Sequence, residues 1–157
     1  MKRTYLSLIL FSALLSACSG GNVVSLIAES EGEAVKRSIS LLKQGVAEGD
    51  KKLLMKLMDP KYVREQHDQF LEGRTDQFLN EFFSGENVET GEFVNLQVED
   101  LHRVEEITVT EVEGEGVYEV VAILQIKSGI QVRSNWRLVV MKLSSNQFRA
   151  GFIGAVG

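Results

Sequence analysis

Apolar residues repeat every three to four positions in the first half of the chain and every second position in the last third. Val35, Ile39, Leu42 and Val46 follow a 4-3-4 spacing, which is typical of one face of an α-helix. From Glu92 onward the period is two, as in half-buried strands. This change of period predicts helices followed by an antiparallel sheet, an α+β fold with N-terminal helices packed on a curved sheet.

Capping residues divide the helical half into four helices. Ser30 and Glu33 form a capping box at the start of the first helix. The later boundaries are Gly49 as a C-terminal cap, Asp50 as an N-cap, Asp59-Pro60 at the start of a third helix, and Thr75 or Asp76 at the start of a fourth that ends at Ser84-Gly85.

Four long strands follow, with a weaker one before them. The predicted ranges are Arg103–Val112, Val117–Ile126, Ile130–Leu143 and Phe148–Val156, with the weaker strand near Glu92–Val98.

The alternation of apolar residues also predicts the register of these strands. The second and third long strands share an apolar face only if their even positions meet, because a slip of one residue turns every side chain over. We therefore expect a three-residue loop Lys127–Gly129 with Gly129 left-handed, and Glu119 opposite Arg137. The loop Glu113–Gly116 then places Val109 opposite Val120.

The last hairpin determines what lies on the outer face of the sheet. A four-residue turn at Ser144–Gln147 would place Gly151 opposite Val140 and Ala155 opposite Trp136. That register turns a partly apolar set away from the helices: Val121, Ile123, Val139, Met141 and Phe152. Such a patch predicts either a homodimer or the docking of an envelope protein partner, unless another segment covers it.

The N-terminus carries a processing signal. Lys2 and Arg3 precede an apolar run of eleven residues, Tyr5–Leu15, which is shorter than the ~20 residues of a membrane-spanning helix. The run ends in Leu15-Ser16-Ala17-Cys18, which resembles the lipobox of bacterial lipoproteins. The resemblance implies residues 1–17 as a signal peptide, cleavage between Ala17 and Cys18, and diacylglyceryl and N-acyl chains on Cys18 as a membrane anchor. A secreted protein with an incidental cysteine is the alternative.

Composition limits the number of domains, the cysteine chemistry and the kinds of partner. Residues 18–29 form a tether, and residues 30–157 are long enough for one domain with its own core. Cys18 is the only cysteine, so no disulfide, zinc–thiolate site or thiol nucleophile is predicted. The mature chain has 15 basic and 22 acidic side chains, which makes nucleic acid and anionic lipid headgroups poor partners by net charge.

Two segments resemble the nuclear transport factor two-like superfamily. The run Gln44–Leu54 resembles its opening of helix, Gly-Asp and short helix, and Asn135–Lys142 with Phe148–Val156 resembles its last two strands. Within that superfamily the chain looks most like bacterial lipoproteins of unknown function with a cystatin-like domain. The resemblance covers about Ser30 to Val156 and implies a curved sheet wrapped around a long helix, forming a cone. It does not imply an activity, because the fold hosts enzymes and binding modules alike.

Candidate chemistry is sparse. His67 follows Val63 by four residues and so lies near the inward stripe of the third helix, which makes it the one weak candidate for a catalytic base. Asp68 is its neighbour and diverges from it by ~100°. His102, beside Asp100, has no second ligand at metal-binding spacing. We therefore expect no metal site and no cofactor.

Aromatic residues offer a different candidate site. Tyr62, Phe70, Phe78 and Phe82 on the helices are expected to face Tyr118 and Trp136 on the sheet. They form either a pocket for an apolar ligand or an ordinary core.

Three functions stay open at this point. The first is an envelope lipoprotein, in the outer membrane facing the periplasm if the source has two membranes, whose domain has a non-enzymatic binding or structural role. The second is a small isomerase- or dehydratase-like enzyme that uses a residue inside the cone. The third is an inhibitor or immunity lipoprotein. An open, wet interior holding His67 favours the enzyme, and a filled interior favours the first function.

Overall fold

The structure is a computed structural model that describes residues 25–67, 74–112 and 116–154, with the side chain of His67 left out. The predicted signal peptide, Ala17 and Cys18, as well as Asp68, Phe70 and Ala155, lie outside the described residues. Helices pack against one face of a curved antiparallel sheet of six strands, which confirms the α+β fold.

Four helices come first. They are α1 (Glu31–Glu48), α2 (Lys51–Lys56), α3 (Pro60–His67) and α4 (Thr75–Phe83). Ser30 accepts a hydrogen bond from the Glu33 amide at 3.2 Å, and Gly49 ends α1 at φ 64°. The carboxylate of Glu33 accepts from the amide of Glu29, one residue earlier than the capping box predicts. Asp50 and Asp59 cap α2 and α3 through the amides three residues on.

The buried face of α1 is rotated slightly from the predicted stripe. Leu42 and Val46 are buried as expected, whereas Val35 and Ile39 are half-buried. Three smaller residues of α1 are buried: Ala34, Ser38 and Gly45, the last of which lies against Leu54 of α2. Small side chains let the helix axis approach the strands, and the hydroxyl of Ser38 donates to the carbonyl of Ala150 at 3.1 Å.

The sheet contains β1 (Gly85–Asn87), β2 (Phe93–Val94), β3 (Leu101–Val112), β4 (Val117–Ile126), β5 (Gln131–Ser144) and β6 (Gln147–Gly154). A short 3₁₀ turn, Val98–Asp100, precedes β3. The strand order is β2-β1-β5-β4-β3. β6 pairs with the second half of β5, on the same edge of β5 as β1. The weak strand predicted near Glu92–Val98 is only two residues long, and β1, its partner, was not predicted.

The predicted register of β3, β4 and β5 is confirmed. Glu119 lies opposite Arg137 and Val109 opposite Val120. The amide of Ile126 donates to the carbonyl of Ile130, and Gly129 has φ 92°. The even positions of β4 and β5 therefore line the core, where Val120, Leu124, Val132 and Leu138 are fully buried.

The register predicted for the last hairpin is wrong by one residue. A β-bulge between Lys142 and Ser144 shifts the pairing, so that Val140 lies opposite Ala150 and Trp136 opposite Gly154. The shift turns every side chain of β6 to the other face. Phe152 is therefore fully buried in the core and does not belong to the outer face.

Candidate functional site

The aromatic residues predicted as a pocket form a packed cluster in the described structure. Phe82 of α4 stacks on Trp136 of β5 with ring centroids 4.8 Å apart and planes 11° apart. Phe83 and Phe152 meet the indole edge-on at 5.5 and 6.0 Å. Offset and edge-on contacts at these distances are the favourable arrangements of aromatic rings. This part of the interior is filled by protein side chains.

Two hydrogen bonds fix α4 on the sheet. The indole Nε1 of Trp136 donates to the carbonyl of Phe82, and the hydroxyl of Ser134 donates to that of Phe83, both at 2.6 Å. The last carbonyls of a helix lack partners inside it, so these buried donors satisfy them. The polar atoms of Trp136 and Ser134 are consequently occupied by structural bonds.

Tyr62 lies at the margin of this cluster. Its ring is 5.6 Å from that of Phe78, and its hydroxyl lies where a side chain at Gly154 would otherwise project. Burial raises the pKa of the Tyr62 phenol, and a hydrogen bond with the Gly154 backbone opposes that shift. Tyr62 thus closes the end of the cluster next to β6.

Tyr118 is not a member of the cluster, contrary to the prediction. No described aromatic ring contacts it; its hydroxyl donates to the carboxylate of Glu31 at 2.7 Å. This bond, with burial as a smaller cause, raises the pKa of Tyr118 to about 12. The side chain of Tyr118 faces inward, as predicted. Tyr118 lies two residues along β4 from Val120, the residue opposite Trp136, and this places it near the start of α1.

The two histidines lie in different elements, α3 and β3. His67 is the last residue of α3, and its side chain is outside the described residues, so its role as a catalytic base stays a prediction. His102 is exposed at the bulge that begins β3. Among the described residues, no group of three or more His, Cys, Asp or Glu side chains is placed to hold a metal ion.

A cleft that the sequence did not indicate opens between the end of α1, the start of α2 and the start of β3. Its volume is about 440 Å³. The lining includes apolar residues and charged ones: Val46, Val98, Leu101, Lys51, His102 and Lys127. Four separate segments build it, which is why no local motif reveals it.

The two lysines of this cleft are bonded to neighbouring segments. Lys51 Nζ lies 2.9 Å from the carboxylate of Asp76 and 3.1 Å from that of Glu99, and the bond to Asp76 is the main cause that raises the Lys51 pKa. Lys127 donates to the carbonyl of Glu99 at 2.5 Å. These contacts join α2, α4 and the β4–β5 turn, so they have a structural role.

The outer face of the sheet is partly apolar. Val121 is 38% exposed, and Ile123, Val139 and Met141 are half-buried. Val117, opposite Val139, extends the patch. Glu119 and Arg137 lie within the same face, so opposite charges border the apolar residues.

Comparisons with known proteins do not identify the chain. No protein-family model, curated protein or solved structure matches it. No helix among the described residues is long and apolar enough to cross a membrane.

Proposed function

We propose that the chain is an envelope lipoprotein whose domain has a non-enzymatic binding or structural role. The observation that supports this role is the filled interior: Trp136, Phe82, Phe83 and Phe152 occupy the space between helices and sheet. A small-molecule enzyme of this shape would instead use that space for substrate. The binding surface is then sought on the outside of the domain.

The anchor in this proposal is the lipidated Cys18. Two or three acyl chains hold a protein on a bilayer, because each buried CH₂ contributes ~0.8 kcal/mol. The anchored domain would lie in the cell envelope. Ser19, rather than Asp, after the cysteine resembles lipoproteins sent to the outer membrane, so in a source with two membranes the domain would face the periplasm.

Replacing Cys18 with Ser should abolish lipidation and leave the fold intact. The described core residues run from Ala28 to Phe152, so the variant changes none of them. Metabolic labelling with a clickable fatty acid should mark the wild-type protein and not C18S, and C18S should leave the membrane fraction. Wild-type protein without label would refute the anchor.

The binding surface in this proposal is the outer sheet face, and its occupant is a second copy of the chain. A two-fold interface uses the same patch on both partners. The patch suits this arrangement because Glu119 and Arg137 border the apolar residues Val121 and Val139, so each subunit offers both charges to the other. Partial exposure of four neighbouring apolar residues is typical of interaction sites.

The soluble fragment Ser19–Gly157 should therefore be a dimer at micromolar concentration, and Val139→Glu should make it monomeric. The fragment retains the whole described core. The half-buried Val139 side chain lies on the outer face, so a carboxylate there would be desolvated at the interface without entering the core. Sedimentation velocity measures the change.

Gln131→Glu is the matched control. It adds the same charge to the same strand and outer face but lies beyond the apolar patch. Q131E should remain dimeric, and V139E should keep the wild-type circular dichroism spectrum. A monomeric wild-type fragment would contradict the dimer, and a larger cross-linked species in native envelopes would assign the patch to another protein.

A further inference from the structure

Charge is distributed very unevenly along the chain, although the net value is modest. Residues 34–64 carry eight basic and three acidic side chains. Residues 65–119 carry two basic and sixteen acidic side chains, and residues 120–157 carry five basic and no acidic ones. Residues 18–33 carry three acidic side chains and no basic one, so each of the two basic segments follows an acidic one.

The fold brings the two basic segments together along β6. Phe152 of β6 exchanges backbone hydrogen bonds with Leu57 and Asp59, at 2.9 and 2.8 Å. The guanidinium of Arg149 donates to the carbonyl of Lys56 at 2.9 Å. The end of α2 and the start of α3 thus cover the outer edge of β6.

The result is a surface that we name the basic edge. It consists of Lys52, Lys56, Lys61, Arg64 and Arg149, of which the first four are exposed. Lys52 and Lys56 are four residues apart on α2, and Lys61 and Arg64 three apart on α3, so each pair shares a helix face. Three described acidic residues lie within two positions of these residues in the chain. They are Glu65, 3.8 Å from Lys61; Asp59, which is buried and caps α3; and Asp50, which is exposed and caps α2.

Acidic side chains are numerous on β3, on the far side of the sheet from β6. β3 carries Glu105, Glu106 and Glu111, of which Glu105 is paired with Arg103. Glu86, Glu89 and Glu92 lie in or beside β1 and β2, on the same side of β5 as β6, so the positive charge is local to the basic edge.

The chain that leads to Cys18 leaves the domain at the basic edge. Ala28 exchanges two backbone hydrogen bonds with Phe148 of β6, at 2.8 and 2.9 Å, next to Arg149. Arg37 of α1 donates to the carbonyls of Ile27 and Ser25, which fixes the chain back to Ser25. Seven residues then remain to Cys18, and they span at most ~25 Å when extended.

We propose that the basic edge rests on the headgroups of an anionic bilayer. The inference relies on the lipid anchor proposed for Cys18, because the short tether keeps this side of the domain within reach of the membrane. Lysines and arginines near an anionic surface are attracted over about a Debye length, ~8–10 Å at physiological salt. The acidic β3 side would then face away from the membrane, and the orientation of the domain would be fixed.

Vesicle co-sedimentation of the fragment Ser19–Gly157 tests the proposal without the lipid. Wild-type fragment should bind vesicles that contain phosphatidylglycerol and not vesicles of phosphatidylcholine alone, and added salt should reduce the binding. The triple variant K52E/K56E/K61E should bind at least about tenfold more weakly, because each basic group contributes separately to the attraction.

The matched control reverses three exposed basic residues that lie outside the basic edge: K43E/R74E/R133E. It changes the net charge equally and should retain most of the binding. Equal loss in both triple variants, or no binding of the wild-type fragment to anionic vesicles, would overturn the proposal. The fragment lacks Cys18, so its vesicle binding does not depend on lipidation. Whether Cys18 carries the lipid anchor is tested separately, by fatty-acid labelling.

Discussion

Trp136→Ala should destabilise the domain by ~3–5 kcal/mol, the usual cost of removing a large buried aromatic side chain. Trp136 is 3% exposed and contacts Phe82, Phe83 and Phe152. Its loss opens a cavity between α4 and the sheet, and it also removes the donor that satisfies the carbonyl of Phe82. Because small domains have only ~5–15 kcal/mol of stability, a substantial part of it would be lost.

Urea unfolding of the fragment Ser19–Gly157 measures this change, with Asn135→Ala as the control. Asn135 is the preceding residue on β5, but its side chain is exposed on the outer face. N135A should unfold within ~0.5 kcal/mol of the wild type, as surface substitutions usually do. If W136A unfolds at the wild-type urea concentration, the assignment of the core face is wrong.

Gly85→Ala should destabilise the domain by ~3 kcal/mol, at the upper end of the usual range for overpacking. Gly85 begins β1 and is buried. An added methyl group would overlap the carbonyl oxygen of Arg133 and lie 2.9 Å from Ser134 Oγ. Arg133 is also paired with Ile123 of β4, so its backbone cannot move without disturbing the centre of the sheet.

Gly32→Ala is the control for this substitution. Gly32 lies in the first turn of α1, and a methyl group there meets no atom within 4 Å. It should be neutral or stabilise the domain by up to ~1 kcal/mol, because alanine is the better helix former. Thermal unfolding of both variants compares the two directly. A G85A protein as stable as G32A would contradict the close approach of β1 to β5.

The hairpin of β4 and β5 could be predicted from the sequence because the alternation of apolar residues in each strand shows which side chains face the core. The alternation from Tyr118 to Ile126 and from Ile130 to Val140 allows one parity, and Gly129 supplies the left-handed residue that the loop requires. The helix caps were equally predictable, since Ser30, Asp50 and Asp59 bond to amides three residues away.

The candidate site was less predictable. The inward direction of Trp136 and Phe82 follows from local periodicity, but whether such residues enclose a pocket or fill a core depends on how closely the layers approach. Gly154 and Ala150 on β6, and Ser38 on α1, permit a close approach between the helices and β6. The pairing of Gly154 and Ala150 with β5 depends on a β-bulge at Leu143, which no local residue pattern indicates. The error in the face of Phe152 comes from that single extra residue.

The sequence by itself determined the α+β class, the helix caps and the register of three strands, because each depends on residues close together in the chain or on a strict period of two. The tertiary structure alone decided that the aromatic residues fill the interior, and that Arg149 and Lys56 share one edge beside the exit of the tether. Both outcomes depend on contacts between segments some 50 to 90 residues apart, as the separations of Phe82 from Trp136 and of Lys56 from Arg149 show. Over such distances the packing of helices on a twisted sheet decides which residues meet, and a local pattern does not record it.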